Sequence, residues 1–328
     1  MKNVLELSEE ERNIVSHVKA YVTLQNKDNI TRTNTYGRFY EKNNEIKWAL
    51  LASMVSRNAG WNMCDLKGEW FPKVLSRELR QRLFLTYERA NWLIFLDAFP
   101  QLYLYQLSKE FKRDLTYLLP FFHVSPFMSE IWKKFMREGN QDELLVSLII
   151  NEQNLIQRPV IEHPIYRKKV FHTWLFLLQD WLHFSVVLFP TKTGDLYGSS
   201  VSDFRKVQSR IQLGKRLASI LFHPDYYNGI YNFSKTVSHT GSRHDYEQYV
   251  YKDKIKDTPE LRSVFPVVYH HRHDYKGWNA SGRHLCKWME PYDEPLKKVK
   301  INTWYKEKQR QLHTGICVDK LITDFLTI

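Results

Sequence analysis

The sequence predicts a mainly α protein: a multi-helix globular bundle with an irregular His/Tyr-rich C-terminal segment. Three observations carry that reading. The 328 residues include only 12 Gly and 12 Pro, roughly 7% together against about 12% in average usage, so breakers are few and elements long. Helix start and stop signals stand where such elements would begin and end. Strand-type alternation of apolar and polar residues is scarce.

The elements follow in order. Ser8-Glu9-Glu10-Glu11 is a capping-box pattern that opens a helix reaching about Asn26. Thr31 to Tyr40 is polar with aromatics and leads into the next element. Glu45 to Asn58 has helical length and an almost wholly apolar middle, with Gly60 placed as a stop. Ser76 to about Phe99 forms another helix, and Pro100 is its kink or end. Ser125-Pro126 sets an N-cap before a proline at the first helical position. Gly139-Asn140 parts that helix from one over Gln141 to Leu155. A long apolar helix, preceded by His163-Pro164, ends at Pro190, and a basic helix runs from Ser202 to Phe222. His223 to Pro295 reads as irregular, and two helices near Ile301–Leu312 and Val318–Leu326 close the chain. Thr191 to Ser200 is the clearest loop, so the expected division is an apolar helical domain over 1–190 and a basic, His-rich domain over 200–328, with fusion into one fold as the alternative.

Composition excludes intrinsic disorder, collagen-like repeats and low complexity. The cysteines Cys64, Cys286 and Cys317 are far apart and form no CxxC pair, so neither a disulfide framework nor a zinc ribbon is expected. The first residues are acidic and polar, unlike a signal peptide, and a cytoplasmic protein is expected. Phe171–Pro190 is long enough to cross a bilayer. Its apolar residues contribute roughly −5 kcal/mol and Asp180 near its centre costs about +3. Gln179, His172 and His183 consume the remainder, so it reads as a buried helix, and no transmembrane span is expected.

Four constellations could carry chemistry. Taken at 100° per residue, the helix from Ser76 places Glu88 beside Phe84, Asn91, Trp92 and Phe95. A carboxylate among aromatics is costly unless paired. Arg57, with Asn58 at the end of an apolar helix, is the expected partner, giving either a pocket lined by Arg57, Asn58, Glu88 and Asn91 or a purely structural clamp. The apolar helix carries one polar seam, His172, Gln179 and His183 flanked by Asp180. An Asp180/His183 pair suits proton transfer, or else a helix–helix hydrogen bond. Arg243-His244-Asp245-Tyr246 echoes Arg272-His273-Asp274-Tyr275 inside the histidine-rich stretch, which makes His244 a candidate acid or base. No spacing there matches an established metal motif, so no metal ligand is assigned and the cofactor is left unknown. Finally, Arg205, Lys206 and Arg210 recur along the basic helix, a face suited to phosphates.

Asn29-Ile30-Thr31-Arg32-Thr33, the run from Trp48 to Met63, and Glu88-Arg89-Ala90-Asn91-Trp92 resemble the YppC-like family of Bacillus-type proteins, a family of unknown function. That resemblance implies a cytoplasmic bacterial protein and no particular activity. The formal charge of +12 favours binding of nucleic acid or another polyanion through a basic face. The alternatives are a small-molecule hydrolase using Glu88, Asp180, His183 or His244, and a membrane-surface or protein-interaction factor.

Overall fold

The computed structural model describes residues 7–58, 63–162, 186–200, 205–252, 255–272, 278 and 282–326. The chain is mainly α. Its elements group into two compact units built from interleaved stretches: unit 1 from Met1–Ser53, Glu88–His163 and Val267–Pro291, and unit 2 from Met54–Tyr87, Pro164–Pro266 and Tyr292–Ile328.

Unit 1 holds α1 (Glu9–Gln25), α2 (Asn29–Lys42) and the first part of α3 (Lys47–Asn58). It also takes most of α4 (Arg77–Phe111), then α5 (Pro126–Glu138) and α6 (Gln141–Leu155). The capping box forms as read: Glu11 N–H donates to Ser8 Oγ, and Ser8 N–H donates to Glu11 Oε2 at 2.7 Å. Asp28 caps α2 by accepting from Thr31 N–H at 2.7 Å, which starts a helix whose Thr- and Asn-rich sequence has weak propensity of its own. Ser125 caps α5 ahead of Pro126, and Gly139 ends that helix in the left-handed region. α4 does not stop at Pro100; it continues to Phe111, forgoing only the bond that proline cannot donate. Tertiary packing covers that loss, because Ala98, Phe99, Leu102 and Leu104 on both sides of the proline are buried.

Unit 2 contains the only described sheet, a hairpin of β1 (Val186–Pro190) and β2 (Leu196–Ser200) in antiparallel register from Val186 opposite Ser200 to Pro190 opposite Leu196. Two expectations are corrected here. Val186–Pro190 is strand rather than the end of an apolar helix, and residues 196–200 are its partner rather than loop. Gly198 sits at φ 155°, where a Cβ would lie 2.0 Å from the Val187 carbonyl oxygen, so only glycine lets β2 lie against β1 at this point. The free edge of β2 is met by 299–301: Gly198 N–H donates to Val299 O at 3.0 Å, and Ile301 N–H to Leu196 O at 2.9 Å. α7 (Val207–Leu221) and α8 (Pro224–Thr236) pack on the hairpin.

The stretch expected to be irregular contains α8, α9 (His244–Val250), the single turn α10 (Leu261–Val264) and, in unit 1, α11 (Gly282–Met289). The two closing helices are one, α12 (Asn302–Leu326), which runs through Gly315. No described helix is long and apolar enough to cross a membrane, and most of the Phe171–Pro190 stretch lies outside the described residues.

Candidate functional site

The interior of unit 1 is polar on two opposite faces of α4. On one face Glu88 (3% exposed) receives Arg32 of α2, whose Nη2 lies 2.6 Å from each carboxylate oxygen. Asn26 accepts from Arg32 Nη1 at 3.2 Å and donates to the Trp92 carbonyl at 3.1 Å. Asn91 reaches Asn29 at 3.5 Å, the outer limit of a hydrogen bond. The expected cost of a carboxylate among aromatics is thus met by Arg32, not by Arg57, and Asn91 joins the same cluster. His270 from the histidine-rich stretch lies against Trp92, with ring centroids 5.4 Å apart. Burial, Arg89 and Arg32 pull its pKa down to about 4.

The other face of α4 presents Asp97. Its Oδ2 accepts from Asn151 Nδ2 at 2.6 Å and from Gln101 Nε2 at 2.8 Å. Asn151 in turn accepts from Ser125 Oγ at 3.1 Å and from Trp278 Nε1 at 2.8 Å, and Gln101 accepts from Trp132 Nε1 at 2.8 Å. Every group but Trp278 is buried, so the network fixes α4, α5 and α6 together. Burial pushes the Asp97 carboxyl up to about 6, against the opposing pull of Asn151, Arg272 and Gln101. Composition alone gives one clue to Asp97: a lone carboxylate in the apolar run Leu93-Ile94-Phe95-Leu96-Asp97-Ala98-Phe99.

Unit 2 gathers its charges on the turn that precedes α9. Arg243 forks onto both oxygens of Asp65 through Nε and Nη2, and its Nη1 donates to Tyr305 Oη at 2.9 Å. Tyr305 donates to Glu247 at 2.7 Å. Burial opposes the Arg243 charge, but Asp65 and the neighbouring tyrosines outweigh it and hold its pKa high. Over this pair lies a cleft walled by Trp70, Phe71, Asp257, Gln309, Leu312 and His313. His313 stacks on Trp70 at 4.0 Å. Asp65, Glu69 and Asp257 make the cleft acidic, unlike the unit around it.

Arg57 belongs to the same unit and is 6% exposed. Its Nη2 donates to the Ser238 carbonyl at 3.0 Å, and its guanidinium lies 4.7 Å over the Phe233 ring. Its Nε has no acceptor. Burial draws its pKa down to about 10, with Asp245 and Tyr249 pulling the other way. Asp245 is already engaged by Thr240 N–H at 2.8 Å, Thr240 Oγ1 at 2.6 Å and His239 Nδ1 at 3.5 Å. The carbonyls ending α3 help a cation by about 2 kcal/mol at most, whereas burying a charge costs several.

Of the other expected site residues, His244 opens α9 half-buried, with its Nδ1 enclosed and unbonded. Asn58 is the last residue of α3. Asp180 and His183 lie outside the described residues. The basic helix does not present one continuous face: Arg205 and Lys206 are exposed, while Arg210 is 3% exposed and Lys215 is 2% exposed, both facing inward with the apolar residues of α7. Among the described residues no group of three or more His, Cys, Asp or Glu could hold a metal ion.

Comparison with known proteins adds kinship without chemistry. No solved structure matches the chain. It is 45% identical over 309 residues to the uncharacterized protein YppC of Bacillus subtilis (strain 168), covering 94% of this chain and 96% of that one. A family model described as a protein of unknown function, DUF2515, matches residues 24–306. The chain therefore belongs to the DUF2515 family.

Proposed function

We propose that the protein binds nucleic acid in the cytoplasm, with unit 2 as the contact surface. One observation carries the reading. The stretches of unit 2 hold 28 Lys and Arg against 17 Asp and Glu, a net of +11, while those of unit 1 hold 20 against 19, a net of +1. The whole excess of +12 therefore rests almost entirely on one unit. A charge so placed attracts a phosphate backbone; one spread evenly would serve only solubility. The exposed cations supply the surface. Lys297, Lys298 and Lys300 flank the buried Val299 beside β2, and Lys192 stands on the hairpin turn. Arg205 and Lys206 precede α7.

Fluorescence anisotropy at low salt, with duplex DNA, single-stranded DNA and RNA, tests this. Association with any of them, weakened by Arg205→Glu/Lys206→Glu, is expected. If none associates while anionic vesicles do, the surface serves a membrane and the nucleic-acid reading falls.

A second reading, a small-molecule hydrolase, has one foothold. Asp97 has a pKa raised to about 6 and, among the described residues, an Oδ1 that accepts no hydrogen bond, which suits a general acid or base. Turnover of chromogenic ester, phosphate or glycoside substrates that disappears in Asp97→Asn would support it, and no turnover of any would end it.

A further inference from the structure

Three of the buried arginines of this chain, Arg32, Arg57 and Arg243, have different surroundings. Arg32 meets Glu88 and Arg243 meets Asp65, each in direct ion-pair contact. Arg57, equally withdrawn from solvent, meets one backbone carbonyl and one aromatic face. It forms no ion pair among the described residues, and its Nε is enclosed without an acceptor. The carboxylate that acts on it most strongly, Asp245, already holds the backbone and hydroxyl of Thr240 together with His239.

An arginine cannot escape this position by giving up its proton, since even at about 10 its pKa stays far above neutrality. What satisfies it is an anion brought from outside. The guanidinium offers Nε and Nη in the forked arrangement that fits two oxygens of an oxyanion. The turn alongside is rigid. Ser242 Oγ donates to Thr258 O at 2.7 Å, and Leu261 N–H donates to Thr240 O at 2.9 Å. Gly241 is fixed at φ 82°, where a Cβ would stand 2.7 Å from the Leu261 Cβ. The same turn ends at His244, whose Nδ1 is a second enclosed polar atom without a partner. The net charge of unit 2 favours a dianion over a monoanion.

We propose that Arg57 anchors a buried oxyanion site in unit 2, beside Phe233 and the turn from Ser238 to His244, and that its ligand is a terminal phosphoryl group. The site stands apart from the proposed nucleic-acid surface, since Arg57 is enclosed and a continuous backbone would not reach it. Free inorganic phosphate and the 5′ end of an oligonucleotide share the required chemistry.

Thermal unfolding of the full chain tests the proposal, with sodium phosphate, sodium chloride at matched ionic strength, and short oligonucleotides bearing either a 5′-phosphate or a 5′-hydroxyl. Binding to the native state alone raises Tm with ligand concentration. The expected result is a saturable rise of a few degrees with phosphate, with the 5′-phosphorylated oligonucleotide, or with both, and none with chloride. The arm that responds identifies the source. Arg57→Met should lose the rise while melting in chloride at or above the wild-type temperature, and Arg57→Lys should keep a weaker one. Coincident phosphate and chloride curves for the wild type, together with equal responses to the 5′-phosphate and 5′-hydroxyl oligonucleotides, overturn the proposal, as does an Arg57→Met variant that still responds. If Arg57→Met does not fold, phosphorus NMR of inorganic phosphate with wild type and Arg57→Lys decides: broadening that is undiminished by the lysine overturns it.

Discussion

Among the described residues each unit buries a closed ion pair and also a charged group that forms no ion pair, and these open groups differ in kind. In unit 1 the pair is Arg32–Glu88 and the open group is Asp97, held by two amides. In unit 2 the pair is Arg243–Asp65 and the open group is Arg57, held by one carbonyl and one ring. A buried carboxyl can answer its surroundings by taking a proton, and at about 6 Asp97 is placed to do so. A buried guanidinium has no such exit. Unit 1, with a net charge of +1, can therefore settle the charge of Asp97 by itself, whereas unit 2, at +11, has no such means at Arg57.

The largest effects should come from opening the closed pairs. Arg243→Met leaves Asp65 buried without its guanidinium, and Arg32→Met does the same to Glu88. Each should cost about 3–5 kcal/mol by chemical denaturation, and the double replacement Arg32→Met/Glu88→Leu should recover most of the loss. Arg57→Met should cost nothing measurable or stabilise. If all three arginines prove equally costly to replace, the distinction between open and closed charges fails.

Next comes the pH dependence of unit 1. The Asp97 carboxyl is raised in the fold from its ordinary 3.8 to about 6, so the native state binds the proton more tightly. Stability should fall as pH climbs from about 4 to 6 and then level, by roughly 3 kcal/mol from this group. In Asp97→Asn, whose amide oxygen can still accept from Asn151 and Gln101, that part of the profile should vanish. Indistinguishable profiles for the two proteins would contradict the assignment. His270 acts in the opposite sense and more weakly, being half-buried. Its depressed pKa means that stability is lost as pH drops below about 6.5 toward 4. His270→Gln should therefore soften the acid limb of the profile.

These interiors were only partly legible in the sequence, for reasons of range. Local chemistry read well: the Ser8 box, the Ser125-Pro126 cap and the Gly139-Asn140 break depend on neighbours within four residues. The need for a cation at Glu88 was readable too, because an acid among aromatics must be neutralised. Which arginine does so was not, since Arg32 is 56 positions away and nothing local separates it from Arg57. Val186–Pro190 misled because a short apolar run has no period that separates a buried strand from a helix end. Arg210 read as surface by type and spacing, yet α7 turns it inward along with Lys215, because burial of a charged group depends on distant neighbours.

The smallest effect on stability should come from the exterior. Lys297→Glu/Lys298→Glu changes exposed side chains and should move the denaturation midpoint by no more than about 0.5 kcal/mol, while reducing affinity for nucleic acid. A large loss of stability would mean that these lysines support the fold instead.

The salt dependence of binding tests the division between the units most directly. For wild type, the logarithm of the association constant with DNA should fall linearly with the logarithm of salt concentration. The slope should be near −0.9 for each phosphate neutralised. It should become shallower by about two such contacts in Arg205→Glu/Lys206→Glu. The same reversal at Arg137 and Lys133 of unit 1 should leave it unchanged. Binding that ignores salt, or that weakens equally for reversals in either unit, would contradict the account.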